Sequence, residues 1–165
     1  RSAKYPSLHH SLAADSTTLK IDLRQKPRIG MPASTFYAYA GQYAMAIPVH
    51  HIHLISKAFP WSIDIKSHTP ITCEAVWDAL YSALQEHVAD SEWGMVMGER
   101  KIRENIEKTA KKRGETDPDK ALKRIDWLGD STIFRGLEKA EDFQKIRLLP
   151  GTDACSETWV VKMSD

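Results

Sequence analysis

Apolar side chains recur along this chain at two spacings, and each spacing predicts an element. Leu19, Ile21 and Leu23 alternate with Lys20 and Asp22, the period of a half-buried strand. Val49 to Ser56 and Trp61 to Lys66 form two further strands. In the second of these, Ile63 and Ile65 alternate with Ser62, Asp64 and Lys66. The four residues between them, Lys57 to Pro60, suit an antiparallel hairpin. The pattern then changes to a helical one. Val76, Leu80 and Leu84 fall four apart, Trp77, Tyr81 and Val88 widen the stripe, Thr72 is the N-cap, and Glu74 stands in the first turn, where the helix dipole favours a carboxylate. A second helix is predicted over Glu92 to Arg113, with a narrow stripe of Met95, Ile102, Ile106 and Ala110 and with Gly114 as its stop. Lys123 to Leu128 and Thr132 to Leu137 read as a second hairpin around Gly129-Asp130-Ser131. Ile146 to Leu149 and Thr158 to Met163 are short strand candidates.

Between these elements the pattern fails. Residues 1–18 read as an irregular arm, and residues 150–157 as a loop. Residues 26–46 carry Pro27, Gly30, Pro32 and Gly41 with Phe36, Tyr37, Tyr39 and Tyr43 between them, which predicts a long aromatic loop packed against the core or forming a contact surface. The whole, residues 1–165, is expected to be one domain of class α+β: a mostly antiparallel sheet with two helices packed on one face. A hairpin followed by a helix and further strands is also the order of ubiquitin-like β-grasp domains, an analogy of order that delivers no function.

Composition narrows the classes. Hydrophobic residues make up 42% and charged ones 27%, enough for a core. The 23 basic and 22 acidic side chains nearly cancel, which argues against a dedicated nucleic-acid binder. Two cysteines, Cys73 and Cys155, are too few for a disulfide framework, although one bridge between them stays open. No apolar run approaches the ~18 residues of a membrane span, so no membrane partner is expected. So few cysteines favour a reducing compartment, and the expected location is intracellular, cytoplasmic or nuclear; residue 1 is Arg and not Met, which leaves secretion open.

Three blocks look familiar. The first is Leu19-Lys20-Ile21-Asp22-Leu23-Arg24 with Pro27, followed by Ala58-Phe59-Pro60-Trp61-Ser62-Ile63. The second is Ile71-Thr72-Cys73-Glu74-Ala75-Val76-Trp77-Asp78-Ala79-Leu80-Tyr81, and the third Lys123-Arg124-Ile125-Asp126-Trp127-Leu128-Gly129 with Phe134-Arg135-Gly136-Leu137. In this order they resemble an uncharacterised domain family abundant in mushroom-forming (basidiomycete) fungi, over roughly residues 6 to 149. The resemblance implies a small intracellular domain and brings no activity or catalytic residue with it. The cluster His50-His51-Ile52-His53 and the tail after Gly151 depart from its pattern.

Four sets of residues are candidates for chemistry. On a strand, His51 and His53 project from one face, where two imidazoles could take a divalent metal such as zinc, with Asp64 or His68 as a third ligand. The plainer alternative, a solvent-facing strand surface, is the stronger one, because H-x-H alone lacks the ligands that make a zinc pattern specific. Cys73 at the start of the helix could be activated by the dipole with His68 as base; the plainer alternative is a small residue tucked at a helix start. Arg100, Lys101, Arg103, Lys108, Lys111, Lys112 and Arg113, with Lys120, Lys123 and Arg124 after them, could touch phosphates. Yet Glu99, Glu104 and Glu107 interleave, so a salt-bridged, solvated face is the better reading. The five tryptophans and the tyrosines, Tyr39 and Tyr43 among them, divide between core packing and a binding patch.

No paired carboxylates, phosphate loop or nucleophile elbow are present. The expected function is therefore a protein-interaction or ligand-binding module without catalysis or cofactor, with a protein partner or self-association and with Tyr39, Tyr43 and Arg124 as binding candidates. The alternatives are a metal-binding or Cys/His-dependent enzyme on the His51/His53 face and, more weakly, phosphate or nucleic-acid binding through the basic helix.

Overall fold

The computed structural model describes residues 1–147 and 157–165. Its elements run β1 (Ile21–Asp22), α1 (Pro27–Gly30), α2 (Ala33–Tyr39), β2 (His51–Ser56), β3 (Ile63–Lys66), α3 (Cys73–Gln85), α4 (Asp90–Gly94), α5 (Arg100–Arg113), α6 (Arg124–Trp127), β4 (Ile133–Glu138), α7 (Glu141–Arg147) and β5 (Thr158–Ser164). The five strands form one sheet in the order β1-β4-β5-β2-β3. Every neighbouring pair is antiparallel except β2 and β5, which run parallel with His53 beside Thr158 and Ser56 beside Val161.

The clearest sequence patterns are the ones that hold. Ile63 and Ile65 turn into the core while Asp64 and Lys66 stay exposed, and β3 pairs with β2 as the predicted hairpin, Ile52 opposite Ile65. The Thr72 side chain accepts from Ala75 N at 3.2 Å, so α3 starts where its cap stands, and it buries Cys73, Val76, Trp77, Leu80 and Leu84. The strand after residue 157 is present as β5.

Four expectations fail, each for a physical reason. Residues 26–46 are not a long loop. They hold α1 and α2, because Pro27 sits at the first turn of α1, where a missing N–H costs nothing, and Pro32 stands just before α2. Proline and glycine mark the ends of these helices. Helices of four and seven residues are far below the ~12–15 that hold alone in water, so burial of Phe36 and Pro27 must hold them. The helix over 92–113 is broken into α4 and α5, with Gly94 ending the first and Gly98 just before the second. Residues 123–128 are the helical turn α6, where the Asp126 carboxylate reaches back to the Lys123 N–H at 2.9 Å; Gly129, at φ +59°, then turns the chain into β4, which pairs with β1 and β5. Ile146 lies on α7, while Leu148 and Leu149, and the loop expected at 150–157 apart from Glu157, fall outside the described residues. Seven helices therefore stand among the described residues where two were expected.

The arm is part of the core. Leu8, Leu12 and Ala13 are buried, and the arm hydrogen-bonds β4 on both sides of Leu137: Leu137 N–H to Leu12 O at 2.7 Å and Ala14 N–H to Leu137 O at 2.9 Å. Gly136 permits this approach. Its φ is +103°, and a Cβ there would lie 2.7 Å from Ala14 Cα and 2.8 Å from Ala14 N. Gly136→Ala should therefore undock the arm and lower stability by about 3 kcal/mol or more, read as a fall in the urea midpoint together with faster exchange of the Ala14 and Leu137 amides.

Candidate functional site

The register of the β2–β3 hairpin brings three candidates together. His53 lies directly opposite Asp64, and His51 is two residues along on the same face. His51 Nε2 donates to Asp64 Oδ1 at 2.7 Å and His53 Nδ1 donates to the same oxygen at 2.9 Å. Burial alone would raise the Asp64 pKa, but these two hydrogen bonds outweigh it and hold the carboxyl below its usual range. Both imidazoles thus turn N–H groups, not lone pairs, toward their common point. A metal ion would need those nitrogens deprotonated and released from the oxygen. Among the described residues no group of three or more His, Cys, Asp or Glu side chains is arranged to hold a metal ion. His68 does not join the cluster. It lines, with His50, His51, Lys66 and Ser67, an open surface depression of about 320 Å³.

Cys73 sits at the first position of α3, where the dipole should favour a thiolate, yet the opposite holds. Its side chain is fully buried, and burial pushes the thiol up to about 11. No hydrogen bond joins it to His68, the predicted base; its partner is Ser11, whose hydroxyl lies 3.8 Å from Sγ. Cys73 is a free thiol, and Cys155 falls outside the described residues. Desolvation outweighs the helix dipole here and favours the protonated thiol.

The same corner holds residues that the sequence reading passed over. His9 Nδ1 accepts from Ser11 N–H at 3.1 Å and lies 2.7 Å from Ser11 Oγ, and His9 Nε2 hydrogen-bonds Gln42 Oε1. His10 stacks on His9 at 4.4 Å, and Tyr39 meets both rings edge-on at 5.3 and 5.0 Å. A serine beside a histidine oriented by an amide has the parts of a nucleophile and its base. However, Ser11 is only 2% exposed, so no substrate can reach its hydroxyl. The cluster docks the arm onto α2 and α3. Its one signal in sequence was the adjacent pair His9-His10, within a segment that showed no periodicity. Tyr39 is thereby committed to packing, whereas Tyr43, which bridges to Thr72, stays half exposed.

The arginines are committed too. Arg124 donates Nη1 to Glu86 Oε2 at 2.5 Å and Nη2 to Glu92 Oε2 at 2.7 Å, and its guanidinium lies 4.9 Å over the Trp61 ring. It clamps α6 to α3 and α4, with its guanidinium bonded to carboxylates of this chain. Arg113 directs all its donors inward: Nε and Nη2 to the buried Asp126 at 2.8 and 3.0 Å, Nη1 to Asp117 and to Asp119 O, and Nη2 to Ala121 O. The basic helix is a partly paired face, with Arg100 joined to Glu104 at 2.8 Å.

A mixed α+β domain built on one five-stranded sheet is the class that the fold of the described residues defines. The chain belongs to the DUF6699 family of unknown function, whose model matches residues 19–143. No curated protein matches it, and no solved structure does. Among the described residues no helix is long and apolar enough to cross a membrane.

Two measurements check these assignments. Cys73 should resist alkylation in the folded chain up to about pH 9 and react quickly only in denaturant, with Cys73→Ala as the control that isolates its signal from that of Cys155. Because folding raises the thiol pKa, the native state keeps a proton that the unfolded state sheds, so Cys73 should reduce stability as pH climbs from about 9 to about 11. Arg113→Lys should cost about 2–4 kcal/mol in urea unfolding although the charge is retained, because an ammonium cannot reproduce the fork that holds Asp126.

Proposed function

We propose that this chain is a protein-interaction module of β-grasp-like topology that acts without catalysis. The observation that carries the reading is the outer edge of β3. Among the described residues β3 pairs with β2 alone, and its other side offers backbone donors and acceptors to an added strand. The side chains that catalysis would call on, Cys73, Ser11 and His9, are by contrast buried or held in internal hydrogen bonds. The β-grasp likeness rests on the β2–β3 hairpin, the helix α3 after it, and a last strand lying parallel to β2 in mid-sheet. Tyr37, at 71% exposed, and Ile47, at 79%, add apolar contact area outside the core. A reducing, intracellular setting and a fungal source belong to the same proposal. Nucleic acid has less support, since Arg113 and Arg124, two of the ten cations in the basic stretch, are committed to carboxylates of this chain.

Panning a random peptide library on the protein and titrating the recovered peptides into 15N-labelled chain tests this. Peptides should shift the amides of Ser62 to Ser67 first. If no recovered peptide moves them and the chain also forms no complex with itself, the module reading falls. A second reading, a zinc site, has in its favour that His51 and His53 converge on Asp64. Zinc calorimetry against a His51→Ala/His53→Ala double variant separates the two. Equal heats are expected, and a one-to-one heat lost in the variant would move the function to the metal.

A further inference from the structure

Backbone hydrogen bonds on either side of the hairpin determine which peptide groups face outward. His53 gives its N–H to Glu157 O at 2.9 Å, toward β5, and Ser67 gives its N–H to His50 O at 2.9 Å, across the hairpin. With the register His51 to Lys66, Ile52 to Ile65, His53 to Asp64 and Leu54 to Ile63, both bonds require the same alternation. Ile63, Ile65 and Ser67 turn their peptide groups to β2. Asp64 and Lys66 turn theirs to the open edge.

From this we propose that the β3 edge pairs with the β3 edge of a second copy of this chain, antiparallel about a two-fold axis through Ile65, so that Asp64 of each copy faces Lys66 of the other. The inference rests on the interaction-module reading and names its partner. Two-fold symmetry makes the strands antiparallel, and the two outward-facing residues then exchange four N–H···O bonds. Charge selects the register. An axis through Asp64 would set carboxylate against carboxylate, and an axis through Lys66 ammonium against ammonium; only the axis through Ile65 pairs opposite signs, and it does so twice.

Both side chains are available for that pairing. They share the sheet face opposite buried Ile63 and Ile65. Asp64 Oδ1 is occupied by His51 and His53, which hold the carboxylate in place, while Oδ2 has no hydrogen bond among the described residues. Lys66 is exposed and makes no ion pair among the described residues. A lysine on an edge strand ordinarily discourages pairing, and Asp64 across the axis offsets it. With strands of four residues the joint is small, so the dimer is a weak, concentration-dependent one.

The test compares the chain at about 10 µM and about 1 mM, a span that brackets a weak complex. Sedimentation velocity should show monomer giving way to dimer. The Asp64 and Lys66 amides should exchange about tenfold more slowly at the higher concentration, while those of Ile63 and Ile65, already bonded to β2, should not change. Lys66→Glu and Asp64→Lys, each checked for native circular dichroism, should be monomeric alone and dimeric when mixed, because only the mixture restores opposite signs. Should the Asp64 substitution fail to fold, Lys66→Pro, which deletes an outward N–H and leaves the β2 ladder intact, must also be monomeric. A chain monomeric at both concentrations overturns the dimer, and so does a dimer indifferent to these variants. In either case, library peptides that still shift Ser62 to Ser67 leave the module reading standing, with a foreign strand as the occupant.

Discussion

The sheet is held together by the last strand to be synthesised within the described chain. In the order β1-β4-β5-β2-β3, the pairs β1–β4 and β2–β3 touch only through β5. Until β5 inserts, the two halves have no shared hydrogen-bond ladder, and the buried faces of Phe134, Leu137, Ile52 and Leu54 lack a common neighbour. Such pairing is non-local, with His53 and Thr158 brought side by side across most of the chain, so its closure entropy is met late and folding should be slow for the size. The same placement leaves β3 at the margin. A central β5 and a β3 with one strand neighbour among the described residues are two aspects of one topology.

Around this sheet three arginines direct their charge inward. Arg113 and Asp126, Arg124 with Glu86 and Glu92, and Arg147, which donates to the carbonyls of Ser56, Phe59, Pro60 and Trp61, each fasten a short element that could not persist alone. A buried pair of this kind adds little net stability over a well-packed apolar pair, but removing one partner costs about 3–5 kcal/mol. Its use here is therefore specification. It determines where α6 and the segment 114–123 lie, and in doing so it removes from the surface cations that the sequence had offered as ligand contacts.

How much was legible follows from that division. The β2–β3 hairpin, α3 with its Thr72 cap, and β5 could be read directly, because alternation and capping are local signals. α1, α2, α4, α6 and α7 could not, since helices of four to seven residues exist by virtue of tertiary contacts that periodicity does not encode. Lys123 to Leu128 looked like a strand for the same reason: Ile125 and Trp127 stand two apart as on a strand, and the Asp126 carboxylate bonded to the Lys123 N–H favours the helical turn. At the candidate site, the shared face of His51 and His53 and the nearness of Asp64 were visible from strand geometry. The burial that silences Cys73, the commitment of Arg124, and the His9–Ser11–Gln42 cluster rest on contacts between distant segments, and no spacing announces them.

Asp64 is the point where these lines meet. One oxygen gathers two imidazoles, and the other has no hydrogen bond among the described residues, on a strand that there pairs with β2 alone. A residue that served only to keep an edge polar would need no partners. One that served only to accept hydrogen bonds from histidines would not have to lie on the outermost strand. Two donors on one oxygen orient the carboxylate in advance and lessen the entropy lost when its second oxygen takes a cation. In the edge-pairing proposal, the histidine cluster acts as the support for a carboxylate at the sheet edge.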